Sequence, residues 1–144
     1  MADKNLQKFK DVLRSEHLKV TPQRLAVFEE VCSTDDHRDA DDIYLSLKQR
    51  EKAVSRATVY RTVDLLLKYN FVSRIDIEDG KWRYEHWLDC TRHDHLICVR
   101  CGNIVEFSDK NIQIREKRIA KSFDYTLVRH VLNLFGYCSD CRGK

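Results

Sequence analysis

The sequence predicts an α+β protein: an N-terminal winged helix-turn-helix followed by a small α/β unit. Three observations carry this. Apolar side chains recur at helical spacing between good caps up to residue 69. Residues 71–84 then alternate around Asp79-Gly80, the pattern of a β-hairpin. Two Cys-x-x-Cys pairs, with 36 residues between them, bracket the second half.

The chain has 144 residues, enough for one ordinary domain or two small ones. A chain this long buries roughly 70% of its unfolded surface, so its core needs no disulfides. No apolar run approaches the ~20 residues of a membrane span. Residues 1–10 lack the apolar stretch of a signal peptide, so the expected location is cytoplasmic. Six cysteines there read first as thiols or metal ligands. The net charge of +3 is spread thinly, with +1 in residues 1–84 and +2 beyond them. Any nucleic-acid contact must come from local placement of basic groups rather than a polybasic arm.

In chain order, Leu6, Phe9, Val12 and Leu13 form the first apolar stripe. Thr21 before Pro22, the only proline, is a strong helix start, and Leu25, Phe28 and Val31 continue it to residue 32. Residues 32–38 are polar and turn-like. Asp39 can cap a third helix with Ile43, Tyr44 and Leu47 inward. Ser55 can cap a fourth over residues 55–69, with Val59, Val63, Leu66 and Leu67 on its apolar side. The hairpin follows, and residues 86–92 read as irregular. Residues 95–101 and 103–107 suggest two short strands. Ser108 opens a helix expected to bury Ile112, Ile119 and Phe123. Residues 126–137 form a long β-rich run.

The pairs Cys98/Cys101 and Cys138/Cys141 supply the most specific chemistry. A Cys-x-x-Cys turn aims two sulfurs at one point while its amides stabilise thiolates. Two such turns make a tetrahedral S4 site suited to zinc. Such a site has no open position, so this metal holds the fold and does no chemistry. Loss of one cysteine is expected to unfold the second unit. A second cluster starts from His93 and His95, which share a strand face at i and i+2. Glu85, His86, Asp89, Glu106 and His37 are possible further ligands. A mixed N/O set suits Fe(II), Mn(II), Co(II) or Zn(II), and spacing alone does not choose among the ligands.

The segments Leu18-Lys-Val-Thr-Pro-Gln-Arg24, Ala57-Thr-Val-Tyr-Arg61, His93-Asp-His-Leu-Ile-Cys-Val-Arg-Cys-Gly102, Ile104-Val-Glu-Phe107 and Cys138-Ser-Asp-Cys141 occur in one order. Together they resemble the ferric uptake regulator family, over residues 10–141. The resemblance implies a homodimeric, metal-dependent transcription factor and not an enzyme. It implies a winged-helix DNA-binding domain over 1–84, a hinge over 85–92 and an α/β dimerisation domain over 93–144. Carried over by position, the regulatory site falls on His37, Glu85, His93, His95 and Glu106, with structural Zn(II) on the four cysteines. The regulatory metal implied is Fe(II), with Zn(II) or Mn(II) able to substitute.

The sequence departs from the family in places. Glu85 lies eight residues before His93, one more than is usual, and His86 has the usual spacing. Tyr84-Glu85 matches the family's aromatic-Glu strand end, so Glu85 is taken as the ligand. Some members hold a third metal. Its usual His and Glu are here Arg92 and Gln113, leaving Asp94 and His130, so no tight third site is expected. Cys32 reads as a core residue and Cys90 as a hinge thiol. Glu106 stands where the peroxide-sensing branch uses Asp, which favours iron.

For DNA, residues 55–69 are the recognition helix, offering Arg56, Thr58, Tyr60 and Arg61 to base edges and phosphates. The resemblance adds Lys19 and Arg24 near the minor groove or backbone, and Lys81 and Arg83 are phosphate candidates on the hairpin. The operator implied is AT-rich, near-palindromic double-stranded DNA read by a two-fold dimer. The rival readings are a zinc- or peroxide-sensing member, a metal-dependent hydrolase and a zinc-ribbon adaptor. The hydrolase lacks a nucleophile arrangement or a phosphate-binding loop, and there are four glycines to build one.

Overall fold

The computed structural model of the chain describes residues 2–34, 36–86 and 93–143. Residues 87–92 of the expected hinge 85–92, with Asp89, Cys90 and Arg92, lie outside them. The chain forms two compact units, Met1–Cys90 and Thr91–Lys144. Among the described residues no helix is long and apolar enough to cross a membrane.

The first unit is four helices and a hairpin: α1 (Ala2–Ser15), α2 (Pro22–Cys32), α3 (Ala40–Gln49), α4 (Arg56–Lys68), β1 (Val72–Asp76) and β2 (Trp82–His86). The caps act as their chemistry requires. Thr21, Asp39 and Ser55 each accept a hydrogen bond from a backbone N–H three residues on, and Asp39 closes a full capping box with Asp42. The four helices enclose one core in which Phe9, Leu13, Val27, Ile43, Val59, Val63 and Leu66 are almost completely buried. At its centre Phe9 stacks on Phe28 at 4.8 Å, and both meet Phe71 edge-on. Such pairs add roughly 0.5–1.5 kcal/mol each beyond area burial. The hairpin turns at Gly80, whose φ of +81° suits glycine.

β2 runs past the expected boundary at residue 84. Glu85 and His86 pair with Ser73 and Val72 of β1, so they belong to the wing strand. An open row of β1 backbone groups was there to be matched, and a pattern read from one strand cannot show that.

The second unit is β3 (Asp94–Cys98), β4 (Ile104–Phe107), α5 (Lys110–Ser122) and β5 (Asn133–Gly136). Its sheet has the order β4-β3-β5, antiparallel on one side of β3 and parallel on the other. Three expectations fail here. Asp109, not Ser108, caps α5. The β-rich run forms a strand only over Asn133–Gly136, where β3 offers a partner. Ile119 and Phe123 are not inside: they are 59% and 72% exposed, beside exposed Tyr125, Leu127 and Val128. Their apolar face has no covering element among the described residues of this chain.

Candidate metal centres and nucleic-acid face

The cysteine centre is a consequence of the sheet. Cys98 ends β3, and Gly136 pairs with it at the end of parallel β5. Both Cys-x-x-Cys turns therefore leave the same end of the sheet. The first closes with the Gly102 N–H donating to the Cys98 carbonyl, Gly102 taking φ +73°. The four Sγ atoms lie within 4.8 Å of one another. Cys101 Sγ is 3.7 Å from Cys138 Sγ, and the Cys138 N–H donates to Cys98 Sγ at 3.4 Å.

Their acidities diverge. Backbone N–H groups of Cys101, Cys138 and Arg100 pull the Cys98 thiol down to about 6. Hydrogen bonding to Cys138, with burial and the other sulfurs, pushes Cys141 up to about 12. Four thiols this close cannot all ionise in each other's company. A dication removes that conflict, and an all-sulfur donor set suits zinc.

The histidines and carboxylates form two groups, one in each unit. In the first unit His37 Nε2 lies 3.1 Å from Glu85 Oε2. Ser73 Oγ donates to the other oxygen, Oε1, at 2.5 Å. Glu85 is 6% exposed. His86, next along β2, projects from the opposite face by strand alternation, so the one-residue ambiguity in spacing has a geometric preference for Glu85.

In the second unit His95 is paired across the sheet with Glu106 on β4 and Asn133 on β5. His95 Nδ1 is 3.3 Å from Asn133 Oδ1. The Asn133 side chain at Nδ1 holds the orientation of the ring and leaves Nε2 on its far side. The ring of His93 lies 5.0 Å from that of His95, and its Nε2 is 3.8 Å from Glu106. Each group combines imidazole nitrogen with carboxylate oxygen, donors that suit a borderline dication.

Asp94 and His130 also meet. His130 Nε2 lies 2.5 Å from Asp94 Oδ1, and its Nδ1 contacts Glu116. Gln113 turns away and donates to Ser108. The two carboxylates sit on opposite edges of one ring. Glu116 was missed in the sequence. It lies one helical turn beyond Gln113, and an i+3 signal was there to find it.

The nucleic-acid candidates divide. Lys19, Arg24, Thr58 and Arg61 line one cleft of about 620 Å³, to which the capped starts of α2 and α4 also contribute through Thr21 and Ser55. Helix N-termini and cations together favour anions. Arg24 donates to the Lys19 carbonyl, and Thr58 Oγ1 is 3.0 Å from Ser55 Oγ. Tyr60 is 46% exposed on α4. Arg56 is engaged on α3, with Asp41 at 2.9 Å and the Tyr44 ring at 5.0 Å. On the wing, Lys81 bonds Asp39 and Arg83 bonds Asp79.

A winged-helix unit, joined to a unit with a sulfur clamp and to paired imidazole–carboxylate groups, defines a metal-responsive transcription regulator. Residues 15–135 match the model of the Ferric uptake regulator family, and the chain belongs to that family. A ferric uptake regulation protein of Campylobacter upsaliensis is 36% identical over 141 residues, covering 96% of this chain and 90% of the relative. The structure of the Helicobacter pylori ferric uptake regulator, described as having three functional metal binding sites, superposes with a TM-score of 0.86 at 29% identity. That match covers 100% of this chain and 95% of that one. The Pseudomonas aeruginosa ferric uptake regulator with manganese gives 0.78 at 32% identity, covering 88% and 95%.

Proposed function

We propose that this chain is an Fe(II)-dependent repressor of iron-uptake genes, acting in the cytoplasm as a homodimer on AT-rich, near-palindromic DNA. The observation that carries the reading is the division of the N/O donors between the units: His37 and Glu85 in one, His93, His95 and Glu106 in the other. One ion taking all five has three neutral imidazoles and two carboxylates, which cancel its charge. It makes every bond only in one relative arrangement of the units, so its binding free energy selects that arrangement. Zn(II) on Cys98, Cys101, Cys138 and Cys141 stays in place throughout. Mn(II) or Zn(II) can substitute at the regulatory site, since the same donors accept them.

For the DNA, Lys19, Arg24 and Arg61 seat the backbone at the cleft they line. Tyr60 places its ring on thymine methyls, and Thr58, in the first turn of α4, meets the backbone in the cleft it lines with Arg61. Arg56 reaches a phosphate by exchanging Asp41 for it. The exposed apolar face of α5 and residues 125–131 is covered by the second copy, which also supplies the two-fold match to the operator.

Linkage gives the test. Operator affinity rises with Fe(II) under anaerobic conditions, and metal affinity rises by the same factor when operator is present. Fluorescence anisotropy with and without metal, and metal titration with and without the duplex, measure the two sides. Equal metal affinity in both states would remove the mechanism. Full activation by Zn(II) at far lower free concentration than Fe(II) would move the metal assignment to zinc. Tyr60→Ala weakens an operator more than random DNA, whereas Arg24→Ala weakens both alike.

A further inference from the structure

Glu30, in the last turn of α2, is a carboxylate only 2% exposed. A charge in that position is costly unless it is paired and hydrogen-bonded. Arg38 Nη1 donates to its Oε1 at 2.7 Å, and Arg38 Nη2 donates to the Glu30 backbone carbonyl at 2.7 Å. Ser46 Oγ, on α3, donates to Oε1 at 2.6 Å, and Arg50, just past α3, lies 3.0 Å from Oε2.

The Arg38 fork does more than neutralise charge. Two N–H groups on two acceptors of one residue set direction as well as distance. The Arg38 backbone in turn exchanges both its hydrogen bonds with Tyr84 of β2. Its N–H donates to the Tyr84 carbonyl at 3.3 Å, and the Tyr84 N–H donates back at 2.8 Å. This is a single antiparallel bridge. The pair next to a hydrogen-bonded pair stands closer still, with its side chains on the other face. Here that pair is His37 and Glu85, which meet at 3.1 Å. The guanidinium of Arg38 therefore points at α2 while the adjoining imidazole points at Glu85. Position 38 belongs to no helix or longer strand, so the bridge and the fork are what fix it.

We propose that Arg38, anchored on Glu30, is the positioning residue that presents His37 to the regulatory ion. Through Ser46 the same carboxylate also bonds α3. The inference rests on the reading of His37 and Glu85 as ligands.

The test uses Mn(II) as probe, titrated into the full-length, zinc-loaded chain. Arg38→Met weakens manganese binding about 10–100-fold, the range for loss of an outer partner of a ligand. Arg38→Lys, with one ammonium in place of the fork, falls between. Arg50→Met removes a charge from the same carboxylate but leaves the bridge, and manganese affinity stays at the wild-type value. Urea unfolding checks each variant. If Arg38→Met does not fold, Arg38→Lys against Arg50→Met decides by the same criterion. Equal losses at positions 38 and 50, or none at 38, overturn the positioning role. His37→Ala and Glu85→Ala separate the two readings. If they weaken manganese and the Arg38 variants do not, positioning alone fails. If they leave it unchanged, the ligand assignment fails and positioning falls with it.

Discussion

The two units are held together by different physics. The first surrounds a continuous apolar cluster, from Phe9 and Leu13 on α1 to Phe71, Val72 and Tyr84 around the hairpin. The second buries Ile97, Cys98 and Ala120 but leaves Ile119, Phe123, Val128 and Val131 largely exposed. Hydrophobic burial scales with the area removed from water, so the first unit has the main ingredient of stability within itself. The second, a little over 50 residues long, falls in the size range where metals or oligomerisation usually supplement a small core.

The largest effect should come from the sulfur clamp. Structural zinc sites contribute on the order of 10 kcal/mol of apparent folding free energy. Cys98→Ser, or a strong chelator, should abolish the protected amides of β3 and β5 while those of α2 and α4 persist. Hydrogen exchange read by mass spectrometry resolves the two regions. Protection of β3 and β5 that survives complete zinc removal would mean that the second unit is as self-sufficient as the first.

The converse comes next in size. Phe28→Ala removes the ring shared by Phe9 and Phe71. It should cost the first unit about 3–5 kcal/mol in urea unfolding. Zinc content should stay at its wild-type value. Phe123→Asp sharpens the point from the other side. It places a charge on the exposed apolar face without touching a buried contact. The expected result in sedimentation is a shift from dimer to monomer, with little change in the first unit's urea transition. A wild-type dimer that persisted would place the interface elsewhere.

How much of this was readable beforehand follows from how local each signal is. Thr21, Asp39 and Ser55 were visible as caps because capping is decided within four residues. The Asp79-Gly80 turn and the Cys-x-x-Cys pairs were visible for the same reason. The strand limits of 126–137 were not, since β-propensity becomes a strand only against a partner. Ile119 and Phe123 have the spacing of a buried stripe, and helical periodicity does not say whether the covering surface belongs to the same chain. The Glu30 carboxylate was hidden for the opposite reason. An acid on the inner face of α2 contradicts the helix pattern, and its partners, Arg38, Ser46 and Arg50, are brought to it only by the tertiary fold.

The smallest expected effect is on the pH dependence of the first unit. Glu30 and Asp39 are both in the first unit. Burial works to raise each carboxyl, but hydrogen bonds outweigh it: Ser46 and Arg38 on Glu30, the Asp42 amide and Lys81 on Asp39. Both therefore sit below the ordinary carboxylate range. A carboxyl whose folded pKa is depressed binds protons more readily in the unfolded chain. Its stabilisation is complete above the unfolded value, about 4, and is lost as pH falls through the folded value. The first unit's urea midpoint should thus hold steady near neutrality and decline below about pH 5. Replacing Asp39 by Asn keeps a good N-cap while removing the titrating group, so it should flatten that decline and lower the midpoint at pH 7 by the matching amount. A decline as steep as wild type in Asp39→Asn would assign the acid sensitivity to other groups, with Glu30 the first to examine through Glu30→Gln.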